Sequence, residues 1–178
     1  MNPHPFDPFR DRLSRDIRND LSESLLDCLR QRDLAPARRV ADRFLAGQPG
    51  PEQTAYIAHR LARYARFLDE AAQGPDDVVW QGLALWDLGL YFEVHEILEP
   101  VWLRALGMEK AFLQALIRAA GVYIKTEYGF FEGAGKLAAK ALPVLEANRE
   151  RLAAYTDPER LLTALRSSQQ PAPLLLVP

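Results

Sequence analysis

An all-α fold, a compact helical bundle, is predicted by three observations. Apolar residues recur at three- and four-residue intervals through the long segments. Glycine and proline clusters cut the chain into helix-sized pieces. One segment, Met108 to Tyr128, is apolar on most of its circumference, as a central bundle helix is.

The elements follow in order. Between Pro8 and Asp33 the residues Leu13, Ile17, Leu21, Leu25 and Leu29 recur every four positions, with Leu26 and Cys28 widening the stripe. A second helix is expected from Pro36, a first-turn proline, to Gly47, a C-terminal stop. After the turn Gln48-Pro49-Gly50-Pro51, a third should run from Glu52 to Ala72. Ile57, Leu61, Tyr64, Ala65 and Leu68 form its buried side, and His59, Arg60, Arg63 and Arg66 face solvent. Gln73-Gly74-Pro75 breaks the pattern and sets a boundary, with a three-helix extension over 1–75 and a helical domain over 76–168. Asp76 or Asp77 caps the next helix, through Val79, Trp80, Leu83 and Trp86, whose tryptophans read as core. Gly89 ends it, and a helix bearing His95 follows. Gly107 and Gly129 bracket the central segment, and a helix runs from Phe131 to Arg151. Thr156-Asp157-Pro158-Glu159 starts a last short helix. The proline-rich apolar tail, 169–178, cannot be helical and is either disordered or an extended arm on this domain or a neighbouring subunit.

Composition narrows the function classes. The chain of 178 residues is long enough for a real core, and its net charge of −2 masks a division by type. Every basic residue before position 75 is arginine, interleaved with aspartate and glutamate, and the lysines come later. A mixed pattern of this kind describes solvated helix faces rather than the one-signed patch that nucleic acid requires. The single cysteine, Cys28, lies near an apolar stripe and reads as a core residue. Met1 to Pro8 has neither a basic start nor an apolar run, so no secretory signal is expected. No apolar stretch is of bilayer length, so no membrane role is expected and cytoplasm is the expected compartment.

A weak internal repeat at a shift of 39 aligns Tyr91-Phe92-Glu93 with Phe130-Phe131-Glu132 and Leu98 with Leu137. With Ala120-Gly121-x-Tyr123, Gly129, Ala134 and Lys140-Ala141-Leu142, it suggests tetratricopeptide-like hairpins, in which small residues let two antiparallel helices approach closely.

The densest chemistry lies at His95-x-x-x-Glu99-x-x-Trp102, after Gly89-x-Tyr91-Phe92-Glu93 and before Phe112-Leu113-Gln114-x-Leu116-Ile117 and Gly129-x-x-x-Gly133-Ala134. Over positions 76 to 147 this resembles the small helical family catalogued as domain of unknown function 309. Phe130 stands where that family often has asparagine, and Arg118 where glutamine is common. The resemblance implies an all-helical fold with a shared polar motif, and no reaction.

From spacing alone, His95 and Glu99 are expected in the middle of an apolar face with Leu88, Tyr91, Phe92, Leu98, Trp102 and Leu106. Burial normally excludes ionisable groups, so a pair of them marks a site. The plainest reading is a buried hydrogen-bonded pair that fixes helix register, with Trp102 covering it. A second has His95 and Glu99 ligating a divalent metal ion with Glu96 as base on bound water, although His4 and His59 are too distant in sequence to complete a ligand set by pattern. Against that reading, Glu93 and Glu96 are expected to point away from the His95 direction, toward solvent or a rim. A third turns the polar stripe Gln114, Arg118, Gly121 and Lys125 toward the pair. Arg118 would meet Glu99 and Gln114 would meet His95, in a pocket walled by Trp102, Tyr91 and Tyr123. Pro100, inside the same helix, removes a donor and frees the Glu96 carbonyl. The functional expectation is a non-catalytic binding or scaffolding module without a cofactor, its extension and tail serving a protein partner or self-association. The alternative is a metal-dependent hydrolase.

Overall fold

In the computed structural model, which describes residues 6–176, contacts divide the chain into two compact units, Met1–Gly74 and Pro75–Pro178. His4 and the last two tail residues, Val177 and Pro178, lie outside the described residues. Every regular element among those described is a helix, and none is long and apolar enough to cross a membrane.

The first unit packs α1 (Arg12–Gln31) against α2 (Ala35–Ala46) and α3 (Pro51–Gln73). Asp11 caps α1, its carboxylate accepting from the Ser14 amide at 2.8 Å and the Ser14 hydroxyl at 2.5 Å, which holds its pKa below the ordinary value. Ile17, Leu21, Leu25 and Cys28 form the buried stripe, and Leu13 is exposed, contrary to the four-residue pattern. A helix repeats every 3.6 residues, so a strict four-residue row drifts off the buried face by its ends. Ser14 takes the inward place, and Ser24, also buried, donates its hydroxyl to the Leu21 carbonyl at 2.6 Å. On α3, Ile57, Tyr64 and Phe67 are buried and His59 is exposed. Arg60, expected in solvent, is 8% exposed, with its guanidinium 4.8 Å from the Tyr56 ring centroid.

The second unit contains two helical hairpins and a short C-terminal pair. Asp77 accepts from the Trp80 amide at 2.9 Å and starts α4 (Val78–Asp87). The chain then turns through Gly89 into α5 (Tyr91–Arg104), which continues through Pro100. After a corner at Gly107, α6 (Gly107–Glu127) leads through Gly129 into α7 (Phe131–Ala147). The helix expected to reach Arg151 stops earlier, because Asn148 takes the cap position and donates its side-chain amide to the Val144 carbonyl at 2.8 Å. The chain resumes as α8 (Arg149–Ala153) and α9 (Pro158–Ser167).

The hairpin turns are the same structure used twice. Gly89 and Gly129 adopt φ of 66° and 79°, a left-handed conformation that a Cβ disfavours. Leu90 donates to the Leu85 carbonyl at 2.9 Å, and Phe130 donates to that of Lys125 at 2.8 Å. The turns therefore repeat at a shift of 40 (89 to 129), one more than the sequence alignment suggests. The interhelix contacts keep the shift of 39: a Cβ on Gly82 would lie 3.4 Å from Leu98, and one on Gly121 would lie 3.0 Å from Leu137. In each hairpin one glycine and one leucine set the approach of two antiparallel helices. Being apolar on most sides, α6 packs against both α5 and α7, burying Phe112, Leu113, Leu116, Val122 and Tyr123. Each such side chain contributes about 1.5–3 kcal/mol on burial.

The tail is an extended arm on its own unit. Leu175 is buried, and its carbonyl accepts from the Thr156 hydroxyl at 2.6 Å.

Two substitutions test this backbone reading. Gly129→Ala should lower the stability of the second unit by about 1–2 kcal/mol, the left-handed penalty. Gly135→Ala, on an exposed position of α7 with nothing within 4 Å of the added carbon, should raise it by up to about 1 kcal/mol. Urea midpoints that move in the same direction for both would contradict the assignment.

Candidate functional site

The burial of α5 decides where its polar groups go. The inward face comprises Glu93, Val94, Ile97 and Leu98, with Leu90 buried just before the helix. The face predicted from sequence is therefore displaced by about one residue, roughly 100° around the helix. His95, Glu99 and Trp102 lie at the margin, partly exposed, and Leu106 is 82% exposed. Glu93, expected at a rim, has no exposure at all. The sequence reading missed it because a glutamate was assigned outward. Its position three residues after Leu90 and four before Ile97 is the signal that would have found it.

At the margin three groups converge. His95 Nδ1 lies 3.3 Å from Glu96 Oε1, and His95 Nε2 lies 3.6 Å from Glu99 Oε1. One ligand atom from each residue falls within 4.8 Å of the other two. The His95–Glu99 pair follows from i,i+4 spacing. Glu96, expected to point away, instead brings its carboxylate back beside the ring, since a long flexible side chain can cross the angle between adjacent helix positions. Both ring nitrogens thus face a carboxylate. Only the protonated imidazole can donate from both nitrogens, and the neutral form donates from one. The hydrogen bond to Glu96 is the main reason that the His95 pKa is raised above 6.5; partial burial opposes it, and the charges of Glu96 and Glu99 add to it.

The pocket sketched from sequence is differently arranged. Tyr91 and Tyr123 meet each other at 5.4 Å between ring centroids and take the Trp86 ring edge-on at 5.3 and 4.9 Å. They form an aromatic cluster with a tryptophan from α4. Burial pushes the Tyr123 phenol up to about 12, with a smaller contribution from Tyr91. The His95 ring instead neighbours Phe92, 6.2 Å away. Trp102 lies under the Lys110 ammonium, 4.9 Å from its ring, and its indole N–H is buried without a hydrogen-bond partner among the described residues. Gln114 and Arg118 are half-buried on α6, and the pairings expected for them with His95 and Glu99 are not formed: the imidazole engages Glu96 and Glu99. Other members of the same stripe meet α7: a Cβ on Gly121 would lie 3.0 Å from Leu137, and one on Gly133 3.7 Å from the Lys125 side chain.

Residues 79–137 match the family described as Domain of unknown function (DUF309). That segment runs from α4 to the first turns of α7 and contains both hairpin turns and the His95–Glu96–Glu99 cluster. Comparison with curated proteins and with solved structures gives no match.

The geometry predicts a basic His95. Its imidazole should titrate above 6.5 by NMR, and Glu96→Gln should lower that value more than Glu99→Gln does. A raised folded-state pKa stabilises the fold fully below the unfolded value, and the contribution is lost as pH rises through the folded one. The stability deficit of Glu96→Gln should therefore be largest in mild acid and shrink toward alkaline pH. A deficit that grows with pH would contradict the pairing.

Proposed function

We propose that this protein is a non-catalytic binding module whose polar site is the His95–Glu96–Glu99 cluster. One observation carries the proposal. An imidazole and two carboxylates converge on a single stretch of helix while their side chains keep 36%, 16% and 40% of their exposure. A pair serving only the core would be covered, whereas these groups are accessible, and a rigid helix sets their spacing.

The donor set suits a cation. Nitrogen and carboxylate oxygen together are ligands for a divalent transition metal such as zinc, with remaining positions open to water or to a group on a partner. Hydrolysis at such a metal would need Glu96 as a free base beside the ligands His95 and Glu99. Its Oε1 faces His95 Nδ1, the ring nitrogen opposite the one beside Glu99, so Glu96 is placed to accept that N–H and orient the imidazole rather than to activate water. This favours binding over bond cleavage.

Calorimetric titration of chelator-treated full-length protein with zinc tests the reading. The expectation is one ion per chain, with roughly tenfold weaker binding, about 1.4 kcal/mol, in both His95→Ala and Glu99→Gln. Because the metal must displace the proton held on His95, affinity should rise with pH through the folded-state pKa of that residue. Equal zinc binding by His95→Ala and the wild-type chain would remove the basis for the proposal.

A further inference from the structure

The tail is held by side chains that read its main chain. Trp86 Nε1 donates to the Pro173 carbonyl at 2.9 Å. The amides of Leu175 and Leu176 donate to the two Asp87 carboxylate oxygens at 2.6 and 2.8 Å, and the Leu175 carbonyl accepts from Thr156 at 2.6 Å. Only one of the last leucines is engulfed: Leu175 is 1% exposed and its neighbour Leu174 is 50% exposed. Main-chain hydrogen bonds combined with one buried anchor are how proteins recognise extended peptides.

The receptor side is otherwise hard to rationalise. Asp87 is the last residue of α4, and a carboxylate at a helix C-terminus is opposed by the macrodipole. Burial pushes its carboxyl above the ordinary value, against the pull of the two tail amides and of the Arg160 charge. Nothing in the helical propensity of α4 calls for an acid there; the Arg160 charge and the two tail N–H groups favour one.

We propose that the end of α4, with Thr156 from the α8–α9 connection, is a recognition site for an extended apolar peptide with a leucine anchor. The chain's own tail occupies it in cis, and a partner protein's peptide of the same chemistry takes its place. The tail can leave without unwinding a helix: α9 ends at Ser167, Ser168 takes a left-handed cap, and the following prolines exclude further helix. While docked, it competes as a tethered ligand at roughly millimolar effective concentration, which excludes weak peptides from the intact chain. This site is separate from the His95 cluster and does not depend on the function proposed for it.

The experiment uses full-length protein and a fluorescent synthetic peptide with the sequence of residues 169–178. In Leu175→Asp the anchor is removed and the receptor left intact, so peptide binding, read by anisotropy, should be at least tenfold tighter than to the wild-type chain. Adding Asp87→Asn should abolish that gain. In the wild-type chain, hydrogen exchange at the Leu175 and Leu176 amides should be at least a hundredfold faster than in the core of α6. The proposal is overturned if a folded Leu175→Asp chain binds no peptide, or if those two amides exchange only at the rate of α6. The second measurement decides the matter should Leu175→Asp fail to fold.

Discussion

The constraint on which the rest of the second unit depends is that α5 must bury Val94, Ile97 and Leu98 with Glu93 among them. Four inward positions on a helix of 14 residues fix its rotation about its axis. Once that rotation is set, His95 and Glu99 can only lie at the boundary between core and solvent. A pair in the middle of the apolar face would have been a sealed hydrogen bond, and the same pair at the margin is an accessible polar cluster. The chemistry of the site is thus a consequence of which neighbouring residues are buried, and a rotation of one position would erase it. The fully buried Glu93 makes that rotation specific, because a carboxylate without solvent is tolerated only in the arrangement that compensates it.

What was legible in the sequence was what local chemistry determines. The caps at Asp77 and Asp157, the turns at Gly89 and Gly129, and the proline-led starts of α2 and α9 are each specified by a few adjacent residues acting on their own backbone. The i,i+4 relation of His95 and Glu99 belongs to the same class. The direction in which a helix faces does not, since it depends on partners far along the chain. Glu93 and Arg60, expected outward from spacing, are buried for this reason. The aromatic trio of Trp86, Tyr91 and Tyr123 joins three helices, and no spacing rule relates its members. The return of Glu96 to the ring was illegible for a different reason: helix geometry fixes where a side chain begins, and a glutamate has enough torsions to end elsewhere.

The internal repeat shows how much a sequence alignment can lose while remaining useful. Matching residues at a shift of 39 pairs Leu98 with Leu137, and the structure adds the glycine that each leucine meets, Gly82 and Gly121. The turns between them repeat at 40, because seven positions separate Gly82 from Gly89 and eight separate Gly121 from Gly129. The extra residue before the second turn is recovered after it, so the close approach is preserved. Two independent requirements, a left-handed turn and a small residue against a leucine, therefore explain the four glycines at 82, 89, 121 and 129.

Trp86 is where these features meet. Its ring edge packs against Tyr91, the first residue of α5, and Tyr123 of α6, and its indole N–H reaches the Pro173 carbonyl. The tail is therefore tied to the start of the helix that carries the polar cluster. Even so, the two sites are physically distinct. His95 has Phe92, Glu96 and Glu99 as its neighbours, whereas Trp86, Asp87 and Thr156 hold the tail. Release of the tail removes one hydrogen bond from the indole but leaves the three rings in contact, since their packing rests on area rather than on that bond. A cation at His95 would act through charge on carboxylates at the helix margin, while a peptide at Asp87 would act through main-chain amides at the end of α4. Different side chains therefore carry the two kinds of recognition.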